Sequence, residues 1–356
     1  MNRILIINPF GIGDVLFSTP LITTLRKNFP SSFIAFICNK RTRDLLETNP
    51  ELNEVFVFEK DEYKNLWKKS RRQCIIKFLS FLNLIRKKRF NLAVDLSLGH
   101  QYGFFLKLIG VKQRIGFNYK GRGRFQTKRL EFAGFDSKPI ADYYLDLLKL
   151  LGLEVRTEET SLYLRPADER FAEDFFNASG LKRENRIIGI APGGGVSFGK
   201  EKIRFKRWDA QKFGLLIDEI SSNLKSKVVI LWGPGERDLA DKILAISKSR
   251  PLISPPTTVR QMAAIMKRCN LIVANDAGPL HVAASQRVRT VSIFGPSDEK
   301  VYGPYPPDGR NIIVAKRLNC RPCYLRFKIP ACKTRRCLNK ITPREVLGAI
   351  GRLLEK

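Results

Sequence analysis

The chain has 356 residues, a length that predicts two domains, each large enough to bury a core of its own. Its composition, 44% hydrophobic and 10% aromatic residues, is typical of globular proteins and argues against disorder. A formal charge of +30, from 64 Lys and Arg against 34 Asp and Glu, indicates a polyanionic partner: nucleic acid, an anionic lipid surface or a phosphorylated substrate. A lineage with a lysine-rich proteome would produce the same charge.

The N-terminus does not have the pattern of a signal peptide. The apolar run Ile4–Ile7 has the length of a strand, and a loop with Asn8, Pro9 and glycines follows at once. No apolar stretch is long enough to cross a bilayer. We therefore expect a cytoplasmic protein.

Strand-like and helical segments alternate along the first 120 residues, which predicts a parallel sheet wrapped by helices. The predicted strands are Arg3–Asn8, Phe33–Cys38, Val55–Phe58, Leu92–Leu96 and Arg114–Phe117, with a helix over Val15–Asn28.

A second alternating series begins near Ile187. Its predicted strands are Ile187–Ala191, Lys227–Trp232, Leu252–Ser254, Leu271–Asn275 and Thr290–Phe294. Its predicted helices are Trp208–Leu224, Arg237–Ser247, Val259–Lys267 and Pro279–Ser285. We predict an α/β protein with two Rossmann-like domains, residues 1–165 and 166–340, and a C-terminal helix in 341–356 that packs back on the first domain.

The first chemical motif, residues 8–20, directly follows the first strand. Gly11 and Gly13 are expected to let the backbone turn tightly, which places Asp14 at the start of a helix. Asp14 is either a helix N-cap or a general base that takes a proton from an incoming hydroxyl.

The second motif, residues 271–285, predicts a strand, a turn and a helix with Pro279 in its first turn. Free backbone N–H groups at Gly278 to His281, together with the positive end of the helix, predict a diphosphate site. His281 is either a further donor there or an imidazole satisfied within the core.

Two further turns follow strands of the second series. In the first, residues 191–195 (APGGG) permit close approach of a phosphate at Gly193 and Gly194, and Lys206 would supply a charge to it. In the second, residues 232–237 (WGPGER) carry Glu236, a carboxylate suited to the two hydroxyls of a ribose. The alternatives are a flexible basic loop and an ordinary helix N-terminal glutamate.

No Asp-x-Asp pair occurs in the sequence, so a metal clamp for a diphosphate has no evident source. The negative charge of a departing diphosphate group would then be neutralised by Lys206 and by the N-terminus of the helix predicted at Pro279–Ser285, without a cofactor.

Four cysteines, Cys320, Cys323, Cys332 and Cys337, lie within eighteen residues. In a cytosolic chain this spacing favours metal over disulfides, and a structural tetrahedral zinc site is one interpretation. The other is four thiols without metal.

Two basic segments lie in the first domain. Trp67–Arg89 mixes basic and large apolar residues, and it is either a membrane-surface segment or a core helix with a solvated basic face. The stretch Arg114–Arg129 offers Arg114, Lys120 and Arg122 as candidates for binding phosphates. Because both basic segments lie in the first predicted domain, a phosphorylated lipid substrate is expected rather than nucleic acid.

Taken together and in this order, the motifs resemble glycosyltransferase family nine, the ADP-heptose:lipopolysaccharide heptosyltransferases. The matching segments are GIGDV at 11–15, KRW at 206–208, GPGE at 233–236, NDAGPLH at 275–281 and FGPSD at 294–298.

The resemblance implies the GT-B architecture, in which two Rossmann-like domains face a cleft. It implies inverting, metal-independent transfer of a heptose from an ADP-sugar to a lipopolysaccharide-core glycolipid at the cytoplasmic face of the inner membrane. Asp14 looks like the base, Lys206 the diphosphate ligand and Glu236 the ribose ligand, while Gly11 and Gly13 fall on the acceptor side.

Asp276, Gly278 and His281 resemble the turn that binds the donor sugar and phosphate. Two departures stand out: Ala277 occupies the place of a usual Ser or Thr, and an insertion precedes Lys206. The alternatives to this function are a GT-B enzyme with another nucleotide-sugar, either a transferase or an epimerase, and a basic nucleic-acid-binding protein.

Overall fold

A computed structural model describes residues 2–182, 184–194, 205–325, 327–328 and 331–355. The chain divides into two compact units. The N-terminal unit comprises Met1–Gly134 and Ile140–Glu159, and the C-terminal unit comprises Phe135–Pro139 and Thr160–Lys356. The division at 159/160 lies before the boundary predicted from sequence at 165/166.

The N-terminal unit alternates strands and helices. Its strands are β1 (Arg3–Ile7), β2 (Phe33–Cys38), β3 (Glu54–Val57), β4 (Leu92–Asp95), β5 (Gln113–Tyr119) and β6 (Lys128–Phe132). Its helices are α1 (Ile12–Phe17), α2 (Thr19–Asn28), α3 (Arg43–Leu46), α4 (Lys60–Lys69), α5 (Arg71–Lys87), α6 (Gln101–Leu108) and α7 (Ile140–Lys149), with a 3-10 turn at Lys40–Thr42. The helix predicted over Val15–Asn28 is divided in two at Ser18, and Pro20, which has no backbone N–H to donate, lies in the first turn of α2.

The six strands of this unit form one parallel sheet in the order β3-β2-β1-β4-β5-β6. The strand order reverses between β1 and β4, where Ile7 is paired with Asp95. Ligands of such sheets bind beyond the carboxyl ends of the strands at this reversal. The loops that follow β1 and β4 therefore belong to the edge where a site is expected.

The C-terminal unit repeats the pattern. Its strands are β7 (Ile187–Ala191), β8 (Lys227–Ile230), β9 (Leu252–Ile253), β10 (Leu271–Asn275), β11 (Arg289–Phe294) and β12 (Asn311–Ala315). Its helices are α8 (Pro166–Ala178), α9 (Ala210–Asn223), α10 (Arg237–Ile246), α11 (Val259–Arg268), α12 (Gly278–Ser285), α13 (Glu299–Tyr302), α14 (Arg336–Asn339) and α15 (Pro343–Leu354). The sheet is parallel in the order β12-β11-β10-β7-β8-β9, so the reversal lies between β7 and β10.

The C-terminal helix α15 packs on the C-terminal unit, which corrects the expectation that it returns to the first domain. Thr342 caps α15 through a reciprocal capping box with Glu345. Val346, Ile350 and Leu353 are fully buried in the core that α9, β11 and their neighbours form. The apolar face of α15 is thus used within its own unit.

No helix among the described residues is long and apolar enough to cross a membrane.

We predict that Ile350→Ala lowers the free energy of unfolding by about 2–5 kcal/mol, because it leaves a cavity in a fully buried core. Urea unfolding followed by the fluorescence of Trp208 and Trp232, both in the C-terminal unit, measures the loss. The exposed Arg352, two residues along the same helix, provides the control Arg352→Ala, expected within about 0.5 kcal/mol of wild type. Equal stability of the two variants would contradict the packing of α15 described above.

Candidate functional site

The turns that follow β7 and β10 are held together by one buried amide. Asn275, at the end of β10, is fully buried and donates from Nδ2 to the carbonyls of Pro192 (2.7 Å) and Gly193 (3.0 Å). Its Oδ1 accepts from the Trp208 backbone N–H at 3.1 Å. One side chain therefore fixes the glycine turn and the segment that carries Lys206. Gly195 and the insertion at 196–204 lie outside the described residues.

The Glu236 carboxylate joins the turns after β7 and β8. Its oxygens accept from the backbone N–H groups of Gly194 (3.0 Å) and Gly233 (3.1 Å) and from Arg207 Nη2 at 2.6 Å. A Cβ at Gly193 would lie 2.0 Å from Oε2, so only glycine fits there. Glu236 is buried and makes no side-chain cap on α10, which excludes the interpretation as an ordinary helix N-terminal glutamate.

The Lys206 ammonium forms a buried ion pair with Asp276, with 2.7 Å between Nζ and Oδ2. The rings of Tyr302 and Tyr324 lie around the same ammonium, at 5.4 and 5.1 Å from their centroids. Both partners of the pair are less than one tenth exposed. Burial in a low dielectric strengthens such a pair and makes the loss of either partner costly.

The N-terminus of α12 offers fewer backbone donors than the sequence analysis expected. Pro279 has no N–H, and the N–H of Leu280 donates to the Ala277 carbonyl at 3.0 Å. Gly278 is the first residue of the helix, and Ala277, in the N-cap position, provides no side-chain cap. The binding of an anion at this position would therefore depend on the Gly278 N–H and the helix dipole more than on the four backbone N–H groups expected at residues 278–281.

His281 is buried within the first turns of α12. Burial lowers the pKa of its imidazole to about 4, and the charge of Lys206 acts in the same direction, while Asp276 opposes them. The imidazole is consequently neutral at neutral pH, where it contributes a hydrogen-bonding group and no positive charge.

In the N-terminal unit, the loop after β1 is fixed by two buried asparagines. Asn8 Nδ2 donates to the Asp14 carbonyl at 3.0 Å, and Asn39 Nδ2 donates to the carbonyls of Pro9 and Phe10 at 3.1 and 2.5 Å. Asp14 lies in the first turn of α1, partly exposed.

Two expectations for this loop are corrected. The N-cap of α1 is Gly11, so Asp14 is not the capping residue. Gly11 has φ −80°, which any residue adopts, and Gly13 lies inside α1, so neither position needs the conformational freedom of glycine.

Asp95, at the end of β4, is a fully buried carboxyl at the same sheet edge as this loop. It accepts from the Ser97 N–H (2.9 Å) and from Gln126 Nε2 (2.8 Å). Burial raises the pKa of Asp95 to about 6, although these hydrogen bonds oppose the shift. Titratable groups with displaced pKa values at a strand end are typical of functional sites.

Of the three basic residues predicted to bind acceptor phosphates, Arg114 is already engaged. Its guanidinium donates to the carbonyls of Phe125 (2.7 Å) and Val111, which fastens the β5–β6 loop to the end of α6. Lys120 and Arg122 are exposed beside the Tyr119 ring, at 5.2 and 5.8 Å from its centroid. Arg114 is therefore held by its own loop, and the binding of acceptor phosphates by Lys120 and Arg122 remains a prediction.

The four clustered cysteines are the residues predicted to hold a structural zinc ion. All four are free thiols that range from the exposed Cys320 to the buried Cys337. No group of three or more His, Cys, Asp or Glu side chains suited to a metal occurs among the described residues. Burial raises the pKa of Cys323, and neighbouring cysteines add to the shift. The structural zinc remains a prediction that this geometry does not support.

Residues 78–331 match the model of glycosyltransferase family 9 (heptosyltransferase). The chain belongs to this family. Lipopolysaccharide heptosyltransferase 3 of Escherichia coli K12 is 23% identical to this glycosyltransferase over 354 residues. The match covers 96% of the present chain and 95% of the relative.

Two solved structures show the fold of this glycosyltransferase, and the prediction of a GT-B fold is confirmed. A glycosyl transferase family 9 protein of Veillonella parvula has a TM-score of 0.82 at 23% identity, covering 100% of this chain and 98% of that one. An Escherichia coli heptosyltransferase with ADP-2-deoxy-2-fluoro heptose has a TM-score of 0.74 at 13% identity, covering 98% and 99%.

Sequence reasoning missed the roles of Asn275, Arg207 and Asp95 in this glycosyltransferase. Asn275 and Asp95 each end a buried strand at a sheet reversal, a position where a polar residue in an otherwise apolar run could have been noticed. Arg207 follows Lys206 directly, and nothing in the sequence indicates that it pairs with Glu236.

We predict that Glu236→Gln loosens the turns after β7 and β8 and lowers stability by about 1–3 kcal/mol. The amide has one acceptor oxygen, and its NH₂ would face donors that now meet a carboxylate. Amide hydrogen exchange at Gly194 and Gly233 should accelerate. Asp238→Asn removes an exposed carboxylate from the first turn of α10 and serves as the control. Unchanged exchange in Glu236→Gln would show that the carboxylate does not hold these turns.

We predict that the ionisation of Asp95 destabilises the fold as pH rises. Its folded pKa of about 6 exceeds the ordinary value of 3.8, so its favourable contribution is complete below pH 3.8 and is lost as pH rises through about 6. Asp95→Asn removes this dependence, and Gln126 can reorient because its buried Oε1 has no hydrogen-bond partner among the described residues. From pH 4 to pH 7 the free energy of unfolding of Asp95→Asn should rise by about 2 kcal/mol relative to that of the wild type, as measured by urea unfolding. A difference that stays constant would place the pKa of Asp95 near its ordinary value.

Proposed function

We propose that this glycosyltransferase moves a heptose from ADP-heptose to a lipopolysaccharide-core glycolipid, with inversion at the anomeric carbon. The observation that carries the proposal is the buried arrangement of Lys206, Asp276 and the N-terminus of α12 where the C-terminal sheet reverses. The relative from Escherichia coli is a lipopolysaccharide heptosyltransferase, and a neighbour of the same fold was solved with ADP-2-deoxy-2-fluoro heptose. Both support the choice of donor and acceptor.

The donor side of the proposal assigns the diphosphate to Lys206 and Gly278. Lys206 is paired with Asp276. As ADP-heptose binds, the diphosphate would share the ammonium, and Asp276 would accept hydrogen bonds from the sugar hydroxyls. His281, neutral at working pH, would act as a hydrogen-bonding group of the same turn.

The nucleoside part of the donor is assigned to the glycine turns at Gly193 and Gly194, with Glu236 as the ribose ligand. Three protein donors already bind the Glu236 oxygens. A carboxylate has about four acceptor positions, so one remains for a ribose hydroxyl. Arg207 then has a positioning role, since it fixes the carboxylate that faces the ribose.

On the acceptor side, the Asp14 carboxylate is proposed to remove the proton of the acceptor hydroxyl. The oxygen attacks the anomeric carbon, the bond to the β-phosphate breaks, and ADP leaves with the bonding electrons. General base catalysis of this kind contributes roughly 10²–10⁴ in rate. Lys206 and the α12 N-terminus stabilise the charge that grows on ADP, so the proposed reaction needs no metal.

The acceptor is proposed to be a phosphorylated glycolipid, and its phosphates are assigned to the exposed Lys120 and Arg122. A lipid acceptor requires that the protein works at a membrane surface, proposed to be the cytoplasmic face of the inner membrane. Nucleic acid is not expected as a partner, because the paired cations and glycine turns of the C-terminal unit would then have no role.

Ala277 bears on the identity of the donor, because it provides no hydroxyl at the N-cap of α12. Calorimetric titration with ADP-heptose and with UDP-sugars tests the donor directly. Binding of ADP-heptose alone supports the proposal, whereas preferential binding of a UDP-sugar would favour a GT-B enzyme with another donor.

We predict that Asp14→Asn lowers turnover at least about a hundredfold, because the amide cannot accept the proton. Transfer from ADP-heptose to extracted lipid acceptors measures turnover, and calorimetry should show that ADP binding is unchanged. The matched control is Asp44→Asn, which alters a first-turn carboxylate of the short helix after β2. Wild-type turnover in the Asp14 variant would exclude Asp14 as the base.

A further inference from the structure

Helix α5 exposes four large apolar side chains to solvent. Nine of its seventeen residues, all of them described, are apolar, yet only Cys74 and Ile85 are buried. The preceding helix α4 has no buried residue. Of the ten exposed large apolar side chains among the described residues, seven lie on α4, α5 and α6. These are Trp67, Ile75, Ile76, Leu79, Leu84, Phe104 and Leu108.

The exposed apolar residues of α5 share one side of the helix. The adjacent Ile75 and Ile76 are 47% and 54% exposed, and Leu79, about one turn further along, is 56% exposed. Arg72 and Arg86 fall on the same side by the same three- and four-residue spacing, and both are exposed. We refer to Arg72, Ile75, Ile76, Leu79 and Arg86 as the outer face of α5.

The opposite side of α5 is held by aromatic packing. Phe78 contacts Tyr63 of α4 and Phe105 of α6, with ring centroids 6.0 and 4.7 Å apart. Phe58, after β3, stacks on Tyr63 at 4.7 Å. Because this packing fixes the rotation of α5, the outer face cannot turn inward to bury its isoleucines and leucine.

The charged residues of α5 itself are all basic, and one of them, Lys77, pairs with Glu62 of α4. From Arg71 to Arg89 the chain has seven Lys or Arg residues and no Asp or Glu. At the end of α4, the half-exposed Trp67 is followed by Lys68 and Lys69, and the Arg71 guanidinium lies 5.6 Å from its ring centroid. An indole beside cationic side chains suits the boundary between lipid headgroups and acyl chains.

We infer that the outer face of α5, together with Trp67, is a docking surface for an anionic phospholipid bilayer. The aliphatic side chains would enter the acyl boundary while the arginines meet headgroup phosphates, and α5 would lie in the plane of the interface. A nucleic acid fits less well, since isoleucine and leucine offer neither hydrogen bonds nor rings for base stacking. This inference rests on the proposed function, because a bilayer-bound acceptor is what the surface would bring within reach.

Flotation of the full-length protein with phosphatidylglycerol-rich and with pure phosphatidylcholine vesicles tests the surface. Wild type should float with the anionic vesicles only. The triple variant Ile75→Ser, Ile76→Ser, Leu79→Ser and the double variant Arg72→Glu, Arg86→Glu should each bind at least about tenfold more weakly, since one basic residue near an anionic surface is worth roughly fivefold. The controls Leu215→Ser and Arg352→Glu alter exposed residues of the C-terminal unit and should float like wild type.

A paired transfer assay separates the surface from the proposed chemistry. With the acceptor embedded in anionic vesicles, the triple variant should lose at least about tenfold in kcat/KM, while transfer to a deacylated, water-soluble acceptor stays at the wild-type rate. Flotation of both variants at the wild-type level would contradict the assignment of this face as a membrane-docking surface. Loss of wild-type vesicle binding on addition of an equimolar short RNA duplex would contradict it as well, because the face would then prefer nucleic acid. Absence of wild-type transfer to either acceptor would instead refute the proposed function and leave the flotation result standing.

Discussion

The Asn275 amide ties together three segments that the rest of the C-terminal site depends on. Its Nδ2 holds the turn after β7 through two carbonyls, and its Oδ1 holds the backbone at Trp208. A buried amide that satisfies three backbone groups is expensive to replace, because each partner would lose its hydrogen bond inside the protein. Trp208 is fixed a second time by its indole N–H, which donates to the Ile341 carbonyl. Lys206 and Arg207 are thereby attached to a rigid part of the fold.

The two cations of this site are neutralised by carboxylates of the protein itself. Lys206 is paired with Asp276 and Arg207 with Glu236, and the imidazole of His281 is uncharged at neutral pH. Charged groups in a low dielectric are tolerated when they are paired in this way. A ligand that brings phosphates to one member of a pair must also satisfy the other member, which a molecule carrying both phosphates and hydroxyls can do.

Most of the strands could be predicted because short aliphatic runs bounded by glycine, proline or asparagine have few other interpretations. The strands β6 and β12 were missed: both lie at the edges of their sheets, and Lys128–Phe132 of β6 is exposed and rich in charge. Asp14, Lys206 and Glu236 could be selected from the sequence as polar groups near the ends of strands, and their roles remain predictions. Two contacts of the site were not foreseen, because Asn275 meets Pro192 across 83 residues of sequence and Arg207 meets Glu236 across 29. Such pairings are properties of the sheet order, which a local pattern does not encode.

The positive charge of this protein is divided between two environments, and salt acts on them differently. The Lys206–Asp276 pair is almost entirely shielded from solvent, so dissolved ions reach it little. The arginines and lysines between Arg71 and Arg89 are mostly exposed, and their fields fade over roughly 8–10 Å at physiological ionic strength. Ionic strength therefore distinguishes the exterior of the molecule from its interior: it weakens whatever the exposed cations attract while the pairing inside the C-terminal unit persists.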